Sequence, residues 1–193
     1  AAVGGTNYGS VYPAGCNVSG QGCAAGGAGP IYAQSVVGVL PAVSITWYQA
    51  QIACGNAGKE LLPNAIWQMA ASGTPDPGVA GQTSPNCNTG GSAAVASGLD
   101  TNCVSNYGVM DMDGNVWQWV AEWGSYTPTT NGVWPAGPGS GEYLYGNGSA
   151  TIGAVIRGGD WGNGAGAGVF AFSASGGPSS VNNLVGFRCG RRR

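Results

Sequence analysis

The side chains that could do acid–base chemistry in this chain are carboxylates, because histidine is absent from all 193 residues. Its absence removes the commonest general base and the commonest metal ligand. No spacing among the acids favours a pair suited to hydrolysis. The eight acids are Glu60, Asp76, Asp100, Asp111, Asp113, Glu122, Glu142 and Asp160. An enzyme that uses carboxylates therefore stays open as a hypothesis without a motif to support it.

Six cysteines are the other reactive side chains. None belongs to a Cys-x-x-Cys motif, and no histidine is present to complete a mixed zinc site. In a chain poor in lysine and rich in tryptophan, six cysteines indicate disulfides and an oxidising compartment. Their number alone does not decide the pairing.

Composition excludes several classes of protein. Glycine contributes 38 residues without a collagen period, while seven Trp and eight Tyr favour a packed core over disorder. The net charge is −2, and three of the six basic residues form the terminus 191–193. The body is acidic, which argues against nucleic-acid or anionic-membrane binding. No run of 18 apolar residues predicts a membrane span. The chain opens on Ala1 without Met, so we expect an upstream segment to have been removed or left out.

Two helices are predicted ahead of the strands. Ser44 is a typical N-cap, and apolar residues recur at helical spacing from Ile45 until Gly55. In the second helix we expect Asn64 to be the cap and Gly73 the end. Its buried face is predicted to carry Ile66, Met69 and Ala70.

Short strands separated by long loops follow. Along residues 116–120, Val116, Gln118 and Val120 alternate with Trp117 and Trp119, a pattern that suits a strand. Further short strands are predicted within 150–161 and 184–191. Helices followed by strands indicate an α+β class. We divide the chain into a Gly/Ala-rich N-terminal extension, residues 1–43, and a domain over 44–193.

Four sequence blocks carry a family resemblance. "LLPNAIWQMAA", "YGVMDMDGNVWQWVAEW", "VIRGGDW" and "VGFRC" occur in this order. They resemble the framework of the formylglycine-generating-enzyme type of C-type lectin fold, over about residues 44–189. The oxidases of that family hold copper with two cysteines near the C-terminus, where this chain has only Cys189. The related iron-dependent sulfoxide synthases need histidines, so the resemblance implies the fold without either activity.

The segment 158–189, "GGDWGNGAGAGVFAFSASGGPSSVNNLVGFRC", has definite ends and a bland, small-residue middle. With the blocks before it, this segment resembles the variable proteins of diversity-generating retroelements. Reverse transcription in such systems rewrites codons at template adenines, so that Asn positions become many other residues. The resemblance implies a binding surface at about 157–188. The predicted ligand-binding positions are Asp160, Gly162, Gly166, Phe172, Ser173, Ser175, Gly176, Ser180 and Leu184.

The resemblance also implies disulfides and a possible calcium position. C-type lectin folds commonly join the first helix to the last strand, which matches Cys54 with Cys189. The remaining cysteines would then pair locally, Cys16 with Cys23 and Cys87 with Cys103. Some relatives bind structural calcium where this chain has Asp111, the carbonyls of Gly114 and Val116, and Gln118. Glutamine in place of their glutamate weakens a hard-cation site, so a turn that packs tryptophans is the favoured interpretation.

The sequence thus predicts a non-catalytic, receptor-like binding protein with a hypervariable face. Its expected partner is a protein or glycan on a target surface, with no nucleic acid and no direct membrane insertion. Its expected location is extracellular, on a cell surface or virion. Two alternatives stay open. They are an enzyme of the same fold using carboxylates or an unseen cofactor, and a passive structural or pilus-tip module.

Overall fold

The computed structural model describes residues 2–4, 31–76, 81–125, 132–146 and 152–191. This part of the chain contains two helices, α1 (Trp47–Asn56) and α2 (Asn64–Ala71). Its strands are β1 (Ala2–Gly4), β2 (Tyr32–Gln34), β3 (Glu60–Leu61), β4 (Trp117–Gly124), β5 (Gly132–Val133), β6 (Tyr143–Tyr145), β7 (Gly153–Gly158), β8 (Gly168–Gly176), β9 (Val185–Phe187) and β10 (Cys189–Gly190). Gly164–Gly166 forms one 3-10 turn. The predicted α+β class is confirmed.

One six-stranded sheet, in the order β5-β6-β8-β7-β4-β9, organises the molecule. The β4–β9 and β6–β8 pairs are parallel, and the other three pairs are antiparallel. Two small antiparallel pairs, β1–β2 and β3–β10, complete the strands. The bland segment 158–189 contributes β8 and β9, and β8 lies in the interior of the sheet. Strand pairing therefore fixes the main chain of this segment over residues 168–176 and 185–187.

The start of α1 corrects the predicted cap. Thr46, and not Ser44, caps the helix: its hydroxyl accepts the Gln49 N–H at 3.2 Å, and the Gln49 side chain accepts the Thr46 N–H at 2.9 Å. This reciprocal capping box satisfies two N–H groups that a helix start leaves unpaired. The helix continues past Gly55 to Asn56.

The orientation of α2 also differs from the prediction. Pro63 takes the cap position without a side-chain bond, and Asn64 is the first helical residue. Trp67 and Ala71 form the buried face, whereas Ile66 and Met69 are exposed over 43% and 54% of their surface. The large indole of Trp67 occupies the core and turns those two side chains outward.

Strand β4 divides the core in two. Trp117 and Trp119 pack with α1 in one apolar cluster, and Val120 packs with Trp67 of α2 in another. The strand predicted over residues 116–120 is confirmed as the start of β4, and residues on both of its faces are buried. Gln118 lies between the tryptophans and accepts a hydrogen bond from Trp67 Nε1 at 2.9 Å.

Two predicted disulfides are present. Cys54 at the end of α1 bonds Cys189 in β10, with 5.6 Å between Cα atoms. Cys87 bonds Cys103, with 4.7 Å between Cα atoms. The predicted Cys16–Cys23 pair lies outside the described residues. Among the helices described, none has the length and apolar character to cross a membrane.

Candidate ligand-binding face

The first feature of the candidate site is a carboxylate that holds the main chain of β8. Glu142, one residue before β6, accepts the N–H groups of Phe170 and Ala171 on one oxygen, at 2.6 and 2.8 Å. Bonds from N–H groups to a carboxylate are stronger than neutral hydrogen bonds. The β5–β6 hairpin thereby fixes both donors at the start of the strand.

A guanidinium from β7 holds the corresponding acceptors. Arg157 Nη1 donates to the carbonyls of Phe170 and Ala171, each at 3.0 Å, and Nη2 donates to Gln68. The rings of Trp67 and Phe172 lie 5.3 and 5.7 Å from its central carbon. Burial lowers the pKa of Arg157 to about 10, against the favourable charge of Glu142. Arg157 therefore remains charged at neutral pH.

Trp134 completes the set. It follows β5, and its Nε1 donates to the carbonyl of Phe170 at 2.9 Å. Its own N–H donates to the carbonyl of Glu142 at 2.9 Å, which ties the two clamping residues together. We call Trp134, Glu142 and Arg157 the backbone clamp. These bonds reach main-chain atoms of residues 170 and 171, so they do not require particular side chains there.

One glycine of the segment, Gly168, packs directly against the backbone clamp. Gly168 has a φ of +149°, and a Cβ at this position would collide with the Glu142 carboxylate. A side chain at 168 would therefore displace the group that holds residues 170 and 171. The contact therefore favours glycine at position 168 and excludes it from the positions that can vary freely.

The acids with strongly perturbed pKa values are buried. Burial, and secondarily the charge of Asp76, raises the pKa of Glu142 to about 7. Burial raises the pKa of Asp113 well above its ordinary range, and neither of its oxygens accepts a hydrogen bond from the described residues. Glu142 is 2% exposed and Asp113 is fully buried. Perturbed carboxyls often mark catalytic sites, but these two face protein and do not form an accessible pair.

The nine predicted ligand-binding positions differ in exposure. The exposed members are Gly162, Ser175 and Ser180. The half-buried members are Phe172, Gly176 and Leu184. The buried members are Asp160, Gly166 and Ser173. Exposed residues that the set omits are Ala165, Ser179, Val181, Asn182 and Asn183. The 177–183 stretch shows no apolar periodicity, which is the sequence signal for such an exposed loop.

The structure corrects the expectation that the three buried members are displayed. Asp160 accepts the Gly162 N–H at 2.8 Å and so stabilises its own turn. At Gly166, a Cβ would run into the ring of Tyr143, which leaves no space for a side chain. The Ser173 hydroxyl lies 2.9 Å from the Ser175 hydroxyl and is 2% exposed.

Local contacts connect several of the predicted positions. Asp160 bonds Gly162, Ser173 bonds Ser175, and a Cβ at Gly176 would lie 3.7 Å from Ser180 Oγ, an ordinary contact. The loop after β8 docks on the start of α1, because the carbonyls of residues 178 and 182 accept N–H groups of residues 47 and 44. The turn at 160–166 bonds instead to residues 89 and 115.

At the calcium position that the resemblance implies, the Gln118 side chain is already bonded to other protein groups. Gln118 Oε1 accepts from Trp67 Nε1 at 2.9 Å and from Arg188 Nε at 3.1 Å, and its Nε2 donates to the Asp111 carbonyl at 2.7 Å. Both oxygen lone pairs are therefore in use. Arg188 Nη2 donates to the carbonyl of Met110 at 2.8 Å, which places the guanidinium next to residue 111. Its positive charge therefore lies beside the Asp111 carboxylate.

Sequence reasoning missed Trp134 and Glu142 as functional residues. Both lie within 124–150, a region without helical or strand periodicity, and Glu142 stood out only as one of eight acids. Arg157 belongs to the framework block "VIRGGDW", and the structure shows its role in the bonds that it donates to the carbonyls of residues 170 and 171.

Comparisons with known proteins agree with this architecture. The chain is similar to the Major Tropism Determinant M1 variant, with a TM-score of 0.54 and 24% identity over 75% of this chain and 36% of that one. The P3c variant gives a TM-score of 0.53 and 24% identity over 75% and 37% of the two chains. This likeness shows the fold. The predicted C-type lectin fold of the formylglycine-generating-enzyme type is confirmed.

Curated relatives are similar over most of this chain. A protein named serine/threonine-protein kinase pkn1 of Chlamydia pneumoniae is 32% identical over 162 residues, 78% of this chain and 24% of the relative. The Pkn1 protein of Chlamydia trachomatis serovar L2 is 32% identical over 164 residues, with the same coverage. The chain thus spans about a quarter of the length of these relatives. A family model described as the sulfatase-modifying factor enzyme 1-like domain matches residues 3–193, and the chain belongs to this family.

Proposed function

We propose that this chain is a non-catalytic binding protein whose segment at about 157–188 presents a ligand-binding surface that a diversity-generating retroelement varies. The backbone clamp carries this proposal. Framework side chains hold residues 170 and 171 through main-chain atoms, at hydrogen-bond distances of 2.6 to 3.0 Å. A segment held in this way keeps its backbone conformation when its outward-facing side chains are substituted. Substitutions at exposed positions then change stability by less than about 0.5 kcal/mol.

The comparisons support this proposal at the level of fold. Similar structures include several variants of one protein named a tropism determinant, a name that describes a choice of target. The family itself is named after a modifying enzyme. The absence of histidine, together with a single cysteine after residue 103, favours binding over the known chemistries of the fold.

The location and partner follow from the same proposal. Disulfides joining residues 54 with 189 and 87 with 103 suit an extracellular or virion-displayed protein. The partner would be a protein or glycan on a target surface. The present surface is rich in Gly, Ser and Ala and poor in the Trp, Tyr and Arg that dominate binding hot spots. We therefore expect this variant to bind weakly.

Deep sequencing of the gene across a population of its source tests the proposal. We expect substitutions at the exposed codons 162, 175 and 180, at positions that are adenine in a nearby imperfect repeat. The clamp codons 134, 142 and 157 serve as the internal control and should remain constant. A segment as constant as the framework would contradict the proposal and favour a fixed-ligand or passive structural module.

A further inference from the structure

A cavity of about 530 Å3 opens between the chain that follows β2, residues 108–111 and strand β10. Ligand pockets typically measure about 300 to 1,000 Å3, so this cavity has room for a small molecule. Apart from Phe187 and Arg188, its lining residues lie outside the segment at about 157–188. The cavity is therefore a separate place from the proposed variable surface.

The lining of the cavity combines a buried floor with an accessible rim. Asp111, Gln118 and Phe187 are at most 7% exposed, whereas Val37 is 72% exposed. A ligand can therefore enter past the rim and lose water as it reaches the floor. The apolar side chains that it would meet include Pro41, Leu62, Val109, Val116 and Phe187.

Arg188 brings a guanidinium with unused donors to this cavity. Its Nε donates to Gln118 Oε1 at 3.1 Å, and its Nη2 donates to the carbonyls of Met110 and Asp111 at 2.8 and 3.4 Å. Among the described residues, none accepts from the two N–H groups of Nη1, and this nitrogen is not one of the buried polar atoms that lack a partner. Because Arg188 is half-buried and lines the cavity, Nη1 is accessible from it.

The acceptors that Arg188 already uses are all neutral, so its charge has no contacting counter-ion among the described residues. Burial lowers the pKa of Arg188, although the nearby charge of Asp111 opposes this effect. A negatively charged group at Nη1 would stabilise the guanidinium further. Guanidinium groups bind planar carboxylates through paired N–H···O bonds, which makes a carboxylate the matching acceptor.

The other charges of the lining limit the charge of the ligand. Lys59 and Arg188 are its cations, and Asp111 is its carboxylate. One negative charge on a ligand balances this set. A dianion such as phosphate would be repelled more strongly by Asp111, because the repulsion grows with the charge of the ligand. The apolar walls also favour a ligand that has an apolar body.

We propose that this cavity binds a small monocarboxylate with an apolar body, which places its carboxylate at Arg188 Nη1 and its body against Val109 and Phe187. Two sources offer this chemistry. They are a free carboxylic acid and the C-terminus of a peptide that ends in an apolar residue. The inference does not rest on the proposed variable surface, because the cavity is formed largely by other residues.

Methyl NMR tests the cavity, because the three methionines of the chain lie in different surroundings. Met110 lines the cavity, Met69 is exposed on α2, and Met112 is fully buried. The probe is 4-methylpentanoate at pH 7, titrated into protein labelled with 13C at the methionine methyls. We expect the Met110 methyl and the Cys189 amide to shift along one saturable curve while the other two methyls stay unchanged. A linear shift, or equal shifts of all three methyls, would overturn the inference.

Two further probes test the part played by charge. The neutral 4-methylpentanamide has the same shape and should bind about tenfold more weakly, because it loses a charge-assisted hydrogen bond. Inorganic phosphate should bind more weakly than 4-methylpentanoate. The inference is wrong if either probe binds as tightly as the acid.

Peptide probes distinguish the two sources of the carboxylate. N-acetyl-alanyl-leucine carries a free C-terminus, and its C-terminal amide does not. Tighter binding of this peptide than of 4-methylpentanoate supports a peptide C-terminus as the ligand, and the reverse order supports a free carboxylic acid. In both cases the amidated peptide should bind more weakly than the free one, and equal binding of the two peptides would contradict the inference.

A pair of substitutions with the same charge change supplies the matched control. Val37→Glu adds a negative charge at the rim and should weaken the binding of 4-methylpentanoate by about fivefold at low salt. Val133→Glu makes the same change at a residue that is 46% exposed and outside the cavity, and it should leave the affinity unchanged. Equal affinities of these two variants would also overturn the inference.

Arg188→Gln removes the guanidinium itself and should abolish the saturable shift of the Met110 methyl. The Met112 methyl, in the buried core, reports whether this variant keeps its fold. Saturable binding of the acid to a folded Arg188→Gln variant would contradict the inference. If the variant unfolds, the comparison of Val37→Glu with Val133→Glu decides, because both of those residues are exposed.

Discussion

Replacing Glu142 with glutamine tests the clamp through the dependence of stability on pH. Burial, followed by the charge of Asp76, raises the pKa of Glu142 from 4.5 to about 7 in the folded chain. Between these values the folded chain binds more protons than the unfolded chain, so this residue makes stability fall as pH rises. Glutamine resembles the protonated acid, keeps an oxygen that can accept from Phe170 and Ala171, and does not titrate.

The expected magnitude follows from the size of the pKa change. At 1.36 kcal/mol per pKa unit, the rise from 4.5 to about 7 corresponds to about 3 kcal/mol. Asp76 is exposed, and solvent screening reduces the effect to about 1–2 kcal/mol. We expect Glu142→Gln and wild type to be equally stable near pH 4.5. Above about pH 7 the variant should be more stable by that amount.

Urea unfolding followed by fluorescence of the seven tryptophans measures this difference across the pH range. The difference between variant and wild type removes the contributions of the acids that do not interact with Glu142; Asp113, whose pKa the Glu142 charge helps to raise, contributes to the difference in the same direction. Glu122→Gln is the matched control, because Glu122 also accepts a backbone N–H, from Asn64 at 2.6 Å, but at the exposed surface. Parallel stability curves for Glu142→Gln and wild type would refute the reasoning. So would a variant that is less stable only at high pH, since the ionised carboxylate would then be the favoured partner of β8.

Three further predictions concern the framework. Replacing Cys54 and Cys189 together by alanine should lower the free energy of unfolding by about 4–5 kcal/mol, because their bond closes a loop with a separation of 135 residues; urea unfolding measures the loss. Gly168→Ala should lower the free energy of unfolding by more than about 2 kcal/mol, because the added Cβ collides with the Glu142 carboxylate. Gly162→Ala is the control in the same assay: this residue is exposed, its Cβ would lie at an ordinary contact distance from Asp160 Oδ1, and the change should be less than about 0.5 kcal/mol. A chelator or millimolar calcium should leave the melting temperature unchanged, because the polar atoms of Gln118 are occupied; a rise with calcium would show a site elsewhere or a rearrangement of Gln118.

The sequence predicts those parts of the framework that depend on neighbouring residues or that belong to the sequence blocks shared with the family. The strand at 116–120 follows from alternation, and the Cys54–Cys189 bond follows from the family resemblance. The cap at Thr46 was also available, because Thr and Gln three residues apart form a capping box. Ser44 also has a side chain typical of an N-cap, but it lies two residues before the actual cap. Its φ of +56° differs from the extended backbone of Thr46, the residue that caps the helix.

The orientation of α2 and the clamp depend on tertiary contacts that no short pattern contains. Trp67 takes the core because it bonds Gln118, 51 residues away, and packs under Arg157. Glu142 reaches residues 28 and 29 positions further along the chain. The bonds from Glu142 end on main-chain atoms of residues 170 and 171. The side-chain types at these two positions therefore do not reveal the contact in the sequence.

The corrections at Asp160, Gly166 and Ser173 bear on how variable the proposed face is. These residues hold a turn, fit against Tyr143 or lie beneath the surface, so most substitutions there would disturb the fold. Variation without loss of stability is confined to outward positions such as Ser175. The loop at 177–183, whose carbonyls anchor it to the start of α1, adds more such positions. A diversified face of this design is therefore narrower than the bland composition of its segment indicates, and its positions are chosen by exposure and not by residue type.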